Sequence, residues 1–162
     1  MKKIFQTLPE VVGNLLKKRK ATLAVAESCT GGWISNLLTN ISGATKYFEC
    51  GMVVYSNRSK IKLLGVREET LKKFGAVSRE AAKEMAEGVR KSAATTYGLA
   101  VTGIAGPTGG TREKPVGTVY VALSTHKKTV VKRFHFPEGR LSFKILTAAK
   151  ALEMLRAELL KK

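Results

Sequence analysis

Cysteine and histidine are both scarce in this chain, two of each in 162 residues, and that scarcity removes several chemistries. Cys29 and Cys50 do not stand in a C-x-x-C spacing, so neither a zinc site nor a redox pair is indicated. Serine-histidine chemistry has little support, because His126 and His135 both fall on a β-rich segment near the C-terminal end. No His or carboxylate cluster suggests a metal, and no cofactor is expected. Acidic residues are also few, 12 against 29 Lys and Arg, for a formal charge of +17. Such a surplus concentrates anionic partners around the protein. It is compatible with nucleic acid, acidic lipid or a phosphorylated small molecule, and by itself selects none of them. No window approaches the ~20 apolar residues of a membrane span, and Gln6, Thr7, Pro9 and Glu10 interrupt what a signal peptide would need. A cytoplasmic protein with no membrane partner is expected, and residues 1–162 fit one domain.

What is present is a regular alternation of helical and extended patterns. Ile4, Phe5, Leu8, Val11, Val12, Leu15 and Leu16 repeat with helical spacing. Thr22 to Ala26 reads as a short buried strand, followed by a helix from about Gly32 to Ile41. Glu49 to Tyr55 is a second strand, and Ser56 or Asn57 caps a helix that carries Lys60 and stops at Gly65. Arg67 to Phe74 is a short helix, and Ser78 caps a longer one reaching about Ala94. Gly98 to Ile104 is a third strand. Val116–Ser124 and Thr129–Phe136 form a hairpin, and Leu141 onward gives a last amphipathic helix. Helical crossovers imply parallel strands while the hairpin forces antiparallel pairing. The expected fold is therefore three-layer α/β/α with a mixed, mostly parallel sheet of about five strands. Its small alanine faces are compatible with a homodimer.

Three strand ends converge in this topology, and ligands of open α/β sheets bind outside such ends. They are Glu27-Ser28-Cys29-Thr30, Tyr55-Ser56-Asn57 and Thr102-Gly103-Ile104-Ala105-Gly106. The first is a strand-turn-helix elbow with two potential nucleophiles, Ser28 and Cys29, and free N–H groups at a helix start. The glycine loops match neither G-x-G-x-x-G nor a P-loop, so both nucleotide folds are rejected. Lys60 lies one turn into the helix after the second strand. It could serve as a base if burial lowered its pKa from about 10.4; a solvated helix lysine is the competing reading.

Ala26–Gly32 (A-E-S-C-T-G-G), Gly51–Lys60 (G-x-V-x-Y-S-N-x-x-K), Leu64–Val66, Gly75–Ser78 (G-A-V-S), Thr102–Pro107 (T-G-I-A-G-P) and Lys114–Tyr120 (K-P-V-G-T-V-Y) together resemble the CinA C-terminal domain family. That family includes stand-alone nicotinamide-nucleotide amidases (PncC-like). The resemblance implies a three-layer domain that hydrolyses the carboxamide of nicotinamide mononucleotide to nicotinate mononucleotide and ammonia, in pyridine nucleotide salvage. It assigns the motif serine to Ser28 and the motif tyrosine and lysine to Tyr55 and Lys60. Attack by Ser28, with Lys60 moving the proton and Tyr55 tuning or relaying it, is the expected mechanism. The N–H groups of Thr30, Gly31 and Gly32 are expected to hold the oxyanion. Asn57, Thr102, Gly103 and Gly106 are expected at the substrate, and Arg140 at its phosphate. Motif identity favours Ser28 over Cys29. For Glu27, orienting Lys60 and simply ending the strand stay open. Thr108 stands where relatives often have Gly, which changes the backbone angles open to that loop. A catalytically silent nucleotide-binding domain and a basic nucleic-acid-binding module are the alternative functions.

Overall fold

The computed structural model describes residues 6–161. The elements follow in the order α1 (Leu8–Lys18), β1 (Leu23–Glu27), α2 (Trp33–Thr39), β2 (Phe48–Val53), α3 (Asn57–Leu64), α4 (Glu68–Phe74), α5 (Arg79–Ser92), β3 (Tyr97–Gly103), β4 (Thr118–Ser124), β5 (Thr129–His135) and α6 (Arg140–Leu159). The expected contributions of Ile4 and Phe5 to the first helix lie outside the described residues. Several boundaries differ from the expectation by one or two residues. The helix after the elbow ends at Thr39, and a short 3-10 turn at Ala44–Lys46 follows. The second strand stops at Val53 because the carbonyls of Val54 and Tyr55 turn to accept from Lys60 Nζ.

The five strands are ordered β2-β1-β3-β4-β5. β1 pairs parallel with both β2 and β3, and β4 pairs antiparallel with β3 and β5. Side chains alternate across the sheet because successive Cβ atoms point to opposite faces. Leu23, Val25, Leu99, Val101, Val119 and Val121 pack on one side with residues of α1, α2 and α6. Ala24, Ala26, Ala100 and Ala122 pack on the other with residues of α3, α4 and α5. Helices thus cover both faces, and β1 and β3 are buried nearly throughout, as parallel strands covered on both sides require. Among the described residues no helix is long and apolar enough to cross a membrane.

The α5 side is packed closely because both surfaces are small. A Cβ on Gly98 would stand 2.2 Å from the Ala86 carbonyl, and one on Gly88 would stand 2.0 Å from the Leu64 carbonyl. Gly88 therefore lets α5 cross the end of α3 at backbone contact. The consequence for the site is positional, since α3 carries Lys60 and its C-terminal end is held here. Parallel register completes the arrangement: Glu27 lies level with Val53 on one side and Val101 on the other, so the three strands end together.

Gly→Ala in an exposed helix interior ordinarily stabilises, by up to about 1 kcal/mol. At Gly88 the sign should reverse, because the obstructing atoms are backbone. Gly88→Ala is expected to cost about 1–3 kcal/mol, read as a lower urea midpoint at unchanged slope.

Candidate active site

The elbow after β1 is built around a buried carboxylate. Glu27 is fully buried, and its Oε2 accepts from Thr30 Oγ1 (2.6 Å) and from the N–H groups of Gly32 and Ile34 (both 3.1 Å). Its Oε1 accepts from the N–H (2.8 Å) and hydroxyl (2.7 Å) of Ser35. Gly32, the residue before α2, offers no side-chain cap; the cap comes instead from five residues upstream, where a negative charge also complements the helix dipole. Gly31 and Gly32 turn the chain with φ of +63° and +97°, a left-handed pair that side chains tolerate poorly. Gly51 on β2 makes the room Ser35 needs, since a Cβ there would lie 2.0 Å from Ser35 Oγ. Glu27 therefore neither contacts Lys60 by hydrogen bond nor merely ends the strand; it organises the elbow.

Ser28 follows directly, with little exposure. Its N–H donates to Val101 O (3.2 Å), and Val54 N–H donates to Glu27 O (2.8 Å), so main chain from both neighbouring strands pins it. Lys60 reaches it from α3. The Ser56 hydroxyl caps that helix by accepting from Ser59 N–H (3.1 Å), and helical side chains lean toward the N-terminus. That lean carries Lys60 back over the end of β2. Its Nζ lies 3.2 Å from Ser28 Oγ, 2.8 Å from Val54 O and 3.2 Å from Tyr55 O. The residue is only 1% exposed, and burial pushes its pKa below the ordinary lysine value. No carboxylate pairs with it among the described residues. A neutral amine has two N–H groups and one lone pair. Lys60 Nζ donates to Ser28 Oγ and to the two carbonyls; in the neutral form, with its N–H groups on the carbonyls, the lone pair would turn to the Ser28 hydroxyl.

Cys29 is buried beside this pair, and desolvation pushes its thiol up to about 12, with the Glu27 charge adding to the rise and Lys60 and Lys144 opposing it. At neutral pH it is a protonated thiol, whatever its intrinsic nucleophilicity. Both cysteines are free. His126 meets Arg90 and His135 meets the Val116 carbonyl, so both histidines are engaged on the hairpin.

Several expected contacts have other tasks. The Gly32 N–H is taken by Glu27 and the Gly31 N–H turns to Ser28 O (3.3 Å). Of the expected oxyanion donors, only the Thr30 N–H lacks a protein acceptor among the described residues; the Cys29 N–H, not one of the expected donors, also lacks one. The Thr30 hydroxyl is bound to Glu27. Thr102 donates to Ala76 O (2.8 Å), tying the α4–α5 connection to the end of β3. Gly103 is a packing glycine, its Cβ position lying 2.9 Å from Phe143 Cζ. Tyr55 presents its main chain to Lys60 and its hydroxyl to Arg140, which donates to it from Nη2 (3.0 Å). Arg140 also donates from Nη1 to Gly106 O (2.8 Å). Asn57 sits exposed in the first turn of α3.

Lys144 escaped the sequence reading. Its Nζ lies 5.7 Å from the centroid of the Trp33 ring and 3.6 Å from where a Cβ on Gly31 would stand. The available signal was its spacing, four residues after Arg140 and so on the same helical face.

Glu27→Gln keeps the shape but puts an amide NH2 where the carboxylate accepts. Loss of one or more charge-assisted bonds should cost about 2 kcal/mol, measured by urea denaturation, and the α2 start should lose hydrogen-exchange protection.

The model of the CinA C-terminal domain matches residues 5–159. A CinA-like protein of Nostoc punctiforme is 53% identical over 157 residues, covering 95% of this chain. This chain spans 38% of that relative's length. The crystal structure of competence damage-inducible protein A from Klebsiella pneumoniae superposes with a TM-score of 0.91 at 34% identity, over 94% of each chain. A competence/damage inducible protein from Agrobacterium tumefaciens gives 0.90 at 37% identity, covering 99% of this chain and 100% of its own. With the strand order, the elbow motif and these matches in agreement, the chain belongs to the CinA C-terminal domain family.

Proposed function

We propose that this chain is an amidohydrolase that converts nicotinamide mononucleotide to nicotinate mononucleotide and ammonia, the reaction implied by its motif resemblance. The observation that carries the reading is the buried, carboxylate-free Lys60 with its Nζ 3.2 Å from Ser28 Oγ. Desolvation favours the neutral amine of Lys60, the form that can take a proton from a serine hydroxyl.

The steps balance as follows. Ser28 Oγ attacks the carboxamide carbon while its proton passes to Lys60 Nζ. The resulting ammonium returns that proton to the amide nitrogen, the C–N bond breaks, and ammonia leaves an ester on Ser28. Lys60 then takes a proton from water as the hydroxide adds to the ester carbon, and returns it to Ser28 Oγ as the nicotinate carboxyl departs. The N–H groups of Cys29 and Thr30 are the elbow donors for the tetrahedral oxyanion. Tyr55 and Arg140 stand at the rim, joined to each other, and form a wall.

Ammonia release from nicotinamide mononucleotide is the direct test. Ser28→Ala and Lys60→Met should each lower kcat by about a thousandfold or more, whereas Cys29→Ala should stay within a fewfold of the parent. Undiminished turnover by Ser28→Ala would overturn the mechanism. Lys60→Arg should be as inactive as Lys60→Met, since a guanidinium does not release its proton.

The pH profile follows from the direction of the Lys60 shift. The base works deprotonated, so activity should fall as pH drops through its pKa and level off above it. Because burial lowers that pKa, the acid limb of kcat should lie below the ordinary lysine value of about 10.4.

A further inference from the structure

Arg140 and Lys144 open α6 on one face, yet their surroundings differ. Arg140 commits two of the five N–H groups of its guanidinium to protein oxygens, one to Gly106 O and one to Tyr55 Oη. Those bonds join the start of α6 to the loop after β3 and to the end of β2. A guanidinium held this way is oriented by the protein. Lys144 has no carboxylate within ion-pair distance and no hydrogen-bond acceptor among the described residues. Its ammonium is held over the indole of Trp33 and against Gly31, at the lip of the elbow that carries Ser28. An aromatic face attracts a cation without neutralising it, so the charge stays available to an incoming anion.

The rim around it suits the rest of a nucleotide. Val53, whose Cγ2 lies 3.6 Å from the Cβ position of Gly32, is half exposed, and Tyr55 beyond it is exposed. Exposed apolar surface beside an ammonium that has no carboxylate partner among the described residues suits an aromatic amide bearing a phosphate.

We propose that Lys144 grips the phosphate of the substrate, and that Arg140 is a strut that fixes the Gly106 loop and Tyr55. The proposal rests on the amidase reading for its substrate. It differs from the expectation that Arg140 holds the phosphate.

The test uses the Ser28→Ala protein, so that ligands bind without turnover, and calorimetric titration with nicotinamide mononucleotide, its unphosphorylated riboside and inorganic phosphate. Lys144→Gln should weaken the mononucleotide and inorganic phosphate about tenfold or more, leave the riboside within about twofold, and be largely rescued by Lys144→Arg. Arg140→Gln should weaken mononucleotide and riboside by a similar factor, as loss of a wall would. The proposal is overturned if Lys144→Gln weakens mononucleotide and riboside alike, if it leaves phosphate binding unchanged, or if Arg140→Gln alone removes the preference for the phosphorylated ligand. Should the active parent protein neither bind nor hydrolyse the mononucleotide while phosphate binding still depends on Lys144, the amidase reading falls and the anion site stands.

Discussion

A carboxylate with no solvent contact, Glu27, is the constraint on which the working end of this sheet depends. Removing an unpaired charge from water costs several kcal/mol, and here that cost is offset by five donors converging on the two oxygens. Three of those donors are main-chain N–H groups at the start of α2 that would otherwise need water or a side-chain cap. The arrangement explains residues that look unrelated in the sequence. Thr30 and Ser35 supply hydroxyls, Gly31 and Gly32 make the left-handed turn, and Gly51 on the next strand leaves space for Ser35. Ser28 lies between these anchored positions and inherits their rigidity.

Lys60 stands in the opposite electrostatic condition. Glu27 is buried with its charge satisfied, whereas Lys60 is buried against two carbonyls and a hydroxyl with no anion at hand. Partial charges on carbonyl oxygens can hold an amine without stabilising the ammonium as a carboxylate would, so desolvation prevails and the neutral form gains. Keeping Glu27 saturated by α2 also keeps it from pairing with Lys60. The same separation applies to Cys29, whose thiol is kept protonated by burial while the neighbouring hydroxyl faces the Lys60 amine.

Beyond this pair, the residues around the strand ends divide between support and contact. Thr102, Gly103 and the Gly106 carbonyl hold α4–α5, α6 and the glycine loop in place. Arg140 and Tyr55 brace the rim. The cationic excess of the chain is mostly spread over exposed surface and helix ends, and Lys144 is set apart by its lodging on an aromatic face at the elbow.

Much of this was legible before any coordinates. Periodicity and turn residues located all five strands and all six helices, because alternating burial and helical stripes are local consequences of which faces meet the core. The 3-10 turn at Ala44–Lys46 carries no such pattern and was missed. Motif spacing brought Ser28, Tyr55 and Lys60 to one edge through the parallel topology. Sequence alone could not say where Glu27 points, that the Gly31 and Gly32 N–H groups are already spent, or that Thr102 serves Ala76, since each depends on partners brought by the fold. Lys144 is the sharpest case. One lysine among many is distinguished only by what it touches, and Trp33 and Gly31 reach it by packing α6 against α2. The amino-acid order thus determined the elements, their sequence and the candidate nucleophile and base. Tertiary structure decided which of those groups are desolvated, and therefore which can change protonation state, because solvent exclusion belongs to the packed layers and not to any one segment.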